Sequence, residues 1–427
     1  MSEKFNFSKI SDECIKCGKC IPGCTIHLIN PDETTSPRGF IDLLGAYEKG
    51  ELELDESAKD IFESCFLCTH CTDVCPNSLP TDMVIEEVRA DIAKKYGIAW
   101  FKRAFFTLLR HRFLMDIMMK LGWAFKSCGF KSVENKGMVA RFNLPIIKTD
   151  RLLPSLSKKS FLNKYPSKIK GKKQRVAIFI GCLANYNYTE IGDSLVEVLK
   201  ALDIEIFIPK KQKCCAAPAY FTGDFYTVEV LAKQNIEYFE SFFDEIDAMI
   251  IPEATCSAMI KHDWEVFFRN RGMEDWAKRA RELNKKIFMA TEYLYKYTNL
   301  KELLDKKGAW FDEVITYHDA CHAKKVQGIE KEPRELLKSA FKIEEMSDSN
   351  RCCGFGGVTM QTEKFELAQK AGLPKAKMIE ETKANIVSAE CSACRMQISN
   401  SLYQNNIDVE FKNPIELIAR ALRDGRD

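Results

Sequence analysis

Apolar positions recur at three- and four-residue intervals through much of the first hundred residues, as in FIDLLGAYEKGEL from Phe40 and SAKDIFESC from Ser57. That spacing gathers apolar side chains on one face of a helix and predicts an all-helical N-terminal region. The pattern changes after Gln174. RVAIFIGC (175–182) and VITYHDAC (314–321) are short, apolar and β-branched, as strands buried on both faces are. An amphipathic helical stretch follows each one, TEIGDSLVEVLKALDI and KEPRELLKSAFK, and a further apolar strand comes after it. Strand and helix alternating in this way predict α/β layers. The expected fold class is therefore α/β, with an N-terminal α-helical domain ahead of it.

Between these regions, WFKRAFFTLLRHRFLMDIMMKLGWAF (100–125) is helical in propensity and unusually apolar. Asp116 and Lys120 interrupt its most hydrophobic part, leaving it too short and too charged to cross a bilayer. Two readings stand: a helix buried between domains or against a partner subunit, and a helix lying in a lipid surface. Its five basic residues and Lys126 just beyond it do not share one narrow face, which weakens the second. Residues 155–175, SLSKKSFLNKYPSKIKGKKQR, read as a basic linker. The expected domains are 1–97, 98–170 (the basic apolar segment and linker), 171–300 and 301–427.

Charge sharpens this division. The chain of 427 residues is 46% hydrophobic and 29% charged, a balance suited to a soluble globular protein, and its net charge is only +2. Residues 1–97 nevertheless carry a net −8, residues 98–175 a net +16 and the remainder a net −6. The basic band calls for an anionic partner, an acidic protein surface or lipid; nucleic acid is not expected, since no recognition module accompanies it. MSEKFNFSKI has no apolar run, so no secretory leader is expected there. A cytoplasmic location follows, with the inner face of the membrane as a further contact.

The 18 cysteines change the picture most. Cys14, Cys17, Cys20 and Cys24 form one CxxCxxCxxxC ladder, and Cys65, Cys68, Cys71 and Cys75 form a second, 40 residues further on. A ladder of this kind wraps three thiolates around one iron-sulfur cluster and sends the fourth to another. Two 4Fe-4S clusters are expected, one held by Cys14, Cys17, Cys20 and Cys75, the other by Cys65, Cys68, Cys71 and Cys24. Paired zinc sites are the alternative, but zinc knuckles do not normally use a three-plus-one pattern twice. Pro76 follows Cys75 in the usual way, whereas Thr25 follows Cys24, a change in a turn rather than in a ligand.

The remaining cysteines, Cys128 apart, reveal a duplication. Cys182, the pair Cys214 and Cys215, and Cys256 recur as Cys321, the pair Cys352 and Cys353, and Cys391, at offsets of 139, 138 and 135. The second copy adds Cys394, where the first has Met259. Both thiolates of an adjacent pair can serve one metal assembly, and the glycines after Cys353 allow close backbone approach. Cys321, Cys352, Cys353, Cys391 and Cys394 are expected metal ligands, with buried apolar cysteines as the alternative. For Cys182, Cys214, Cys215 and Cys256, an iron-sulfur cluster, zinc and a purely structural role all remain open. His318 and His322 flank Cys321 and are outer-shell candidates, or else capping or core histidines.

Taken together, the double ladder, the two CCG-type copies, SPRGF at 36–40, CCAAPAYFTGD at 214–224 and TYHDACHAKKVQG at 316–328 resemble the glycolate oxidase iron-sulfur subunit family. The iron-sulfur component of anaerobic glycerol-3-phosphate dehydrogenase is similarly built. The resemblance covers nearly the whole chain. It implies a subunit with no substrate site of its own, which takes electrons from a separate flavoprotein oxidising a glycolate- or lactate-type 2-hydroxyacid, and passes them towards quinone or another acceptor. The CCG copies are also similar to the CCG-bearing component of heterodisulfide reductase, whose five-cysteine set holds a noncubane cluster that cleaves disulfides. That likeness implies a further cluster, of noncubane type and open to a catalytic use, at the five cysteines of copy 2, and Met259 argues against a matching one in copy 1. No GxGxxG follows a strand, and GFGG at 354–357 lies beside the cysteine pair, so flavin is expected on a partner.

Overall fold

The computed structural model describes residues 5–134, 136–143 and 147–424. Its N-terminal region is helical. Ser36 caps the helix Pro37–Glu48 by accepting from the Gly39 N–H, and Pro37 suits the first turn, where no N–H is needed. Asp55 caps Glu56–Glu63 in the same manner. The long helix Thr81–Tyr96 buries Val84, Ile85, Val88 and Ile92.

This helical region is tied to the rest by a buried guanidinium. Arg89 donates to the carbonyls of Phe62 (3.2 Å), Glu63 (3.2 Å) and Cys65 (2.7 Å), and across the seam to the Phe221 carbonyl (2.9 Å). The chain passes close above it at Gly223, whose φ of +84° suits glycine and where a Cβ would stand 2.2 Å from the Arg89 carbonyl oxygen.

The apolar segment is two helices, Trp100–Arg110 and Arg112–Gly129, separated at His111. They have different fates. The first buries Phe106 and Leu109, and Lys102 donates from the interior to Thr359 (2.9 Å) and Glu363 (2.6 Å). The second buries only Met115 and leaves Phe113 80% and Phe125 65% exposed, with Leu114, Ile117, Met118 and Leu121 open beside them. Strands β1 (Phe130–Val133) and β2 (Gly137–Ala140) then form an antiparallel hairpin.

The basic stretch after it is not a free tether. Phe161 and Leu162, on the short helix Phe161–Lys164, are buried, and β3 (Lys168–Ile169) joins a sheet. The lysines point the sequence reading to solvent, but the two apolar residues among them decide the packing.

The sheet that β3 joins also contains β4 (Arg175–Ile178), β5 (Glu205–Phe207), β6 (Ala248–Ile251) and β7 (Ile287–Met289), in the order β3-β5-β4-β6-β7. Only β3 is antiparallel. A second, fully parallel sheet contains β8 (Phe311–Tyr317), β9 (Phe341–Ile343), β10 (Ile386–Ser388) and β11 (Glu410–Lys412), in the order β11-β10-β8-β9. With β3 set aside, the two sheets share one topology, as the cysteine offsets require. The helix expected over KEPRELLKSAFK stops at Leu337, and its end becomes the edge strand β9. In both sheets the first and third strands are central and adjacent, so the strand order reverses beside the first, and ligands of such folds sit at the carboxyl ends there.

Arg89→Ala would leave four carbonyls at the seam without their donor. It is expected to lower stability by about 3 kcal/mol, read as an earlier urea transition for release of the N-terminal helices, with Arg89→Lys recovering part of the loss.

Candidate metal centres

Both ladders fold into the same curl. The second and fourth residues after the leading cysteine take left-handed backbone: Lys16 (φ +53°) and Gly18 (+75°) in the first, Leu67 (+51°) and Thr69 (+57°) in the second. Three of these are not glycine, and such conformations persist only where the surroundings dictate them. The curl turns backbone N–H groups inward, and the Leu67 N–H points at the Cys65 sulfur (3.4 Å). The structure groups the eight thiols in two neighbouring hollows. Cys14, Cys17, Cys20 and Cys75 line one, Cys24, Cys65 and Cys68 line the other, and Cys71 lies at both. Cys75 thus sits with the first ladder and Cys24 with the second.

The second group abuts the C-terminal half. The Cys68 thiol lies beside that of Cys352, and Thr25 donates to Cys68 (3.5 Å). Lys325 reaches the Cys68 carbonyl (3.3 Å), where its charge faces Cys68, Cys321 and Cys352.

In the duplicated half the cysteines follow the central strands. Gly181, in left-handed backbone (φ +72°), turns the chain after β4 into Cys182, and Cys256 lies on the first turn after β6. Cys182 lies beside Cys214, Cys214 beside Cys215, and the Cys215 and Cys256 sulfurs stand 3.3 Å apart. Met259 is fully buried at the start of a π-turn on the same helical run. In the second copy Cys321 follows β8, and Cys391 and Cys394 bracket the start of the helix Ser392–Gln404 after β10. The Cys353 and Cys394 sulfurs are 3.4 Å apart, and the Gly354 N–H points at Cys352 (3.4 Å). His322 places Nδ1 3.3 Å from the Cys321 sulfur and packs on Phe221. His318 lies deeper, fully buried, and burial keeps its ring well below the ordinary histidine pKa.

The two copies face each other across one cavity of about 370 Å³. Cys182, Cys215 and Cys256 line it from one side, and Cys321, Cys352, Cys353, Cys391 and Cys394 from the other. Its walls are apolar, and Phe101, Lys102 and Phe105 of the helix Trp100–Arg110 close over it. Nothing in the cysteine spacing signals that the copies share a space or that this helix roofs it. Another residue missed by sequence reasoning is Lys375, whose buried ammonium donates to the Asp348 carbonyl (2.7 Å) and is pushed down to about 8 by desolvation.

Two buried carboxyls fasten the copies reciprocally. Glu253 of the first accepts from the Ser392 N–H (2.7 Å) and hydroxyl of the second, while Glu390 of the second accepts from the Thr291 N–H (3.2 Å) and hydroxyl. Burial pushes both up to about 8.

These donor sets fit iron-sulfur clusters. Burial pushes Cys65 and Cys321 up to about 12 and Cys71 higher, with neighbouring sulfurs adding repulsion. In the Cys353–Cys394 pair, hydrogen bonds pull Cys353 down and push Cys394 up. Thiols so placed ionise together only around a cation, and soft thiolates in sets of four or five suit iron in clusters.

The cysteine-rich CCG domain family matches residues 176–261 and 315–399, and the 4Fe-4S dicluster domain family matches 10–79. Lactate utilization protein A 1 of Bacillus mycoides is 32% identical over 59% of this chain and 98% of its own. The chain belongs to this family of cysteine-rich iron-sulfur proteins. The probable glycolate oxidase iron-sulfur subunit of Bacillus subtilis is 28% identical over 90% of this chain and 87% of its own. A fumarate reductase (CoM/CoB) subunit of Methanothermobacter marburgensis is 27% identical over 99% and 74%. A crystal structure of a hypothetical protein from Helicobacter pylori shares the fold, with a TM-score of 0.54 at 10% identity over 95% of this chain and 72% of that one. This cysteine-rich iron-sulfur protein therefore carries a dicluster domain ahead of two CCG domains.

At pH 7 a carboxyl pushed up to about 8 holds its proton most of the time. Glu253→Gln is accordingly expected to melt close to the parent. Glu253→Ala, which strips the cap from Ser392, should cost about 1 kcal/mol, seen as a lower melting temperature in calorimetry.

Proposed function

We propose that the chain is the iron-sulfur electron-transfer subunit of a flavin-dependent glycolate- or lactate-type 2-hydroxyacid dehydrogenase, passing electrons towards quinone. The proximity of Cys68 to Cys352 carries this reading, because it sets the second ladder group beside the copy 2 cysteines. Two 4Fe-4S clusters at the ladders would form the wire. A further cluster on Cys321, Cys352, Cys353, Cys391 and Cys394 would form its end, with copy 1 holding a lesser iron-sulfur or zinc site or only packing against it. The relatives named for glycolate oxidase and lactate utilization support a flavoprotein partner. The bound clusters supply one-electron chemistry. The chain's own residues set the spacing, exclude water from the cavity, and keep Lys325 beside both sites.

A second reading places the terminal reaction in copy 2, where His322 stands by Cys321 at the cavity and could hold a proton for a disulfide or quinone acceptor. One experiment weighs the two. The anaerobically purified chain is expected to show iron-sulfur signals yet no hydroxyacid oxidation until the flavoprotein is added; oxidation by the chain alone would overturn the leading reading. Cys353→Ser is expected to lose only the copy 2 iron, leave the ladder clusters reducible by the flavoprotein, and stop transfer to quinone.

We also propose that the helix Arg112–Gly129 rests on an anionic lipid surface at the cytoplasmic face of the membrane. Among the described residues no helix is long and apolar enough to cross a membrane. This one instead exposes a stripe of Phe113, Ile117, Leu121 and Phe125, within a segment of net charge +16. The full chain should float with vesicles containing phosphatidylglycerol and not with phosphatidylcholine alone. A Phe113→Ser, Leu121→Ser, Phe125→Ser variant that floats equally well would remove the helix from this role.

A further inference from the structure

Beneath the copy 2 cysteines lies a buried imidazole with no evident hydrogen-bond partner. His318, at the end of β8, is 1% exposed, and neither ring nitrogen has a hydrogen-bond partner of good geometry among the described residues. A buried polar atom left unpaired costs about 1–3 kcal/mol. The fold does not require that cost. At the cysteine offset of 139, the first copy has Phe179 in the same place, fully buried.

The surroundings supply a reason for an imidazole. The donor atoms of His318, Cys353 and Cys394 all lie within 4.8 Å of one another. Donors around one metal ion, at metal–nitrogen distances of about 2.0 Å and metal–sulfur distances of about 2.3 Å, have such a spread. The Ser349 carbonyl, held by the Asp319 N–H (3.0 Å), lies near the ring. Ligating histidines are commonly set this way, with one N–H directed at a carbonyl and the other nitrogen left for the metal.

We infer that His318 is a nitrogen ligand of the copy 2 cluster, binding the same iron as Cys353 and Cys394. The inference rests on the proposed reading that copy 2 holds a cluster. It makes copy 2 a mixed nitrogen and sulfur site, while the ladder groups are all thiolate. A neutral imidazole adds no negative charge to the iron, whereas a thiolate in its place would, so His318 holds the copy 2 reduction potential above the value that cysteine there would give. Phe179 and Met259 deprive copy 1 of both the nitrogen and the fifth sulfur, so the two ends of the cavity are chemically unequal.

The test uses the full chain, purified anaerobically with 15N-labelled histidine. Pulsed electron-nuclear resonance is recorded on the paramagnetic signal that Cys353→Ser abolishes. A histidine 15N coupling is expected in the parent and in His322→Ala, and its loss in His318→Ala. In a redox titration, His318→Cys should shift the copy 2 midpoint to lower potential and leave the ladder midpoints in place. A copy 2 signal without histidine nitrogen coupling, which needs no variant to observe, would overturn the inference while leaving the cluster assignment standing. If Cys353→Ser removed neither iron nor signal, the cluster assignment would fall, and the ligand with it.

Discussion

Ionising a buried thiol is expensive, and ionising several within touching distance is more so, because burial and mutual repulsion act in the same direction. The structure gathers seventeen cysteines in two ladder groups and two strand-end groups, and burial imposes that constraint on most of them. Cations at their centres resolve it, and much else follows from making room for them. The left-handed curl at Leu67 aims its N–H at Cys65, the turn at Gly181 carries the chain after β4 into Cys182, and Gly354 aims its N–H at Cys352. The apolar walls of the shared cavity keep water away, which strengthens every charge interaction within it.

Much of this could be read in the sequence because it is written locally. A CxxCxxCxxxC ladder is a property of eleven consecutive residues, and the offsets between Cys182 and Cys321 and between Cys214 and Cys352 expose the duplication without any knowledge of packing. The helical spacing before residue 97 and the β-branched runs leading to Cys182 and Cys321 likewise announce their elements. What stayed hidden is decided between segments far apart in the chain. The face-to-face placement of the copies, the roof provided by Phe101 and Phe105, and the approach of Cys68 to Cys352 depend on how finished units dock. The basic stretch after residue 155 shows the same limit on a small scale: the average charge suggests a tether, and two buried side chains make it part of a sheet-bearing domain.

Duplication left the copies alike in topology and unlike in chemistry. Glu253 and Glu390, each two residues past the third strand of its copy, each reach into the other copy, so the pair is fastened almost symmetrically. The ligand positions have diverged within that symmetric frame. Methionine replaces one cysteine in the first copy, and phenylalanine fills the place of a buried histidine. The scaffold tolerates this because strand order and carboxyl caps, rather than the sulfurs, hold the sheets together.

Arg89 gives the seam a further property. The guanidinium that grips the Phe221 carbonyl also grips that of Cys65, the first residue of the second ladder. The backbone curl around that ladder and the docking of the N-terminal helices therefore share one fastening. A rearrangement of the curl at Cys65 would be felt at the seam, because the same guanidinium would have to let go of both carbonyls or follow them.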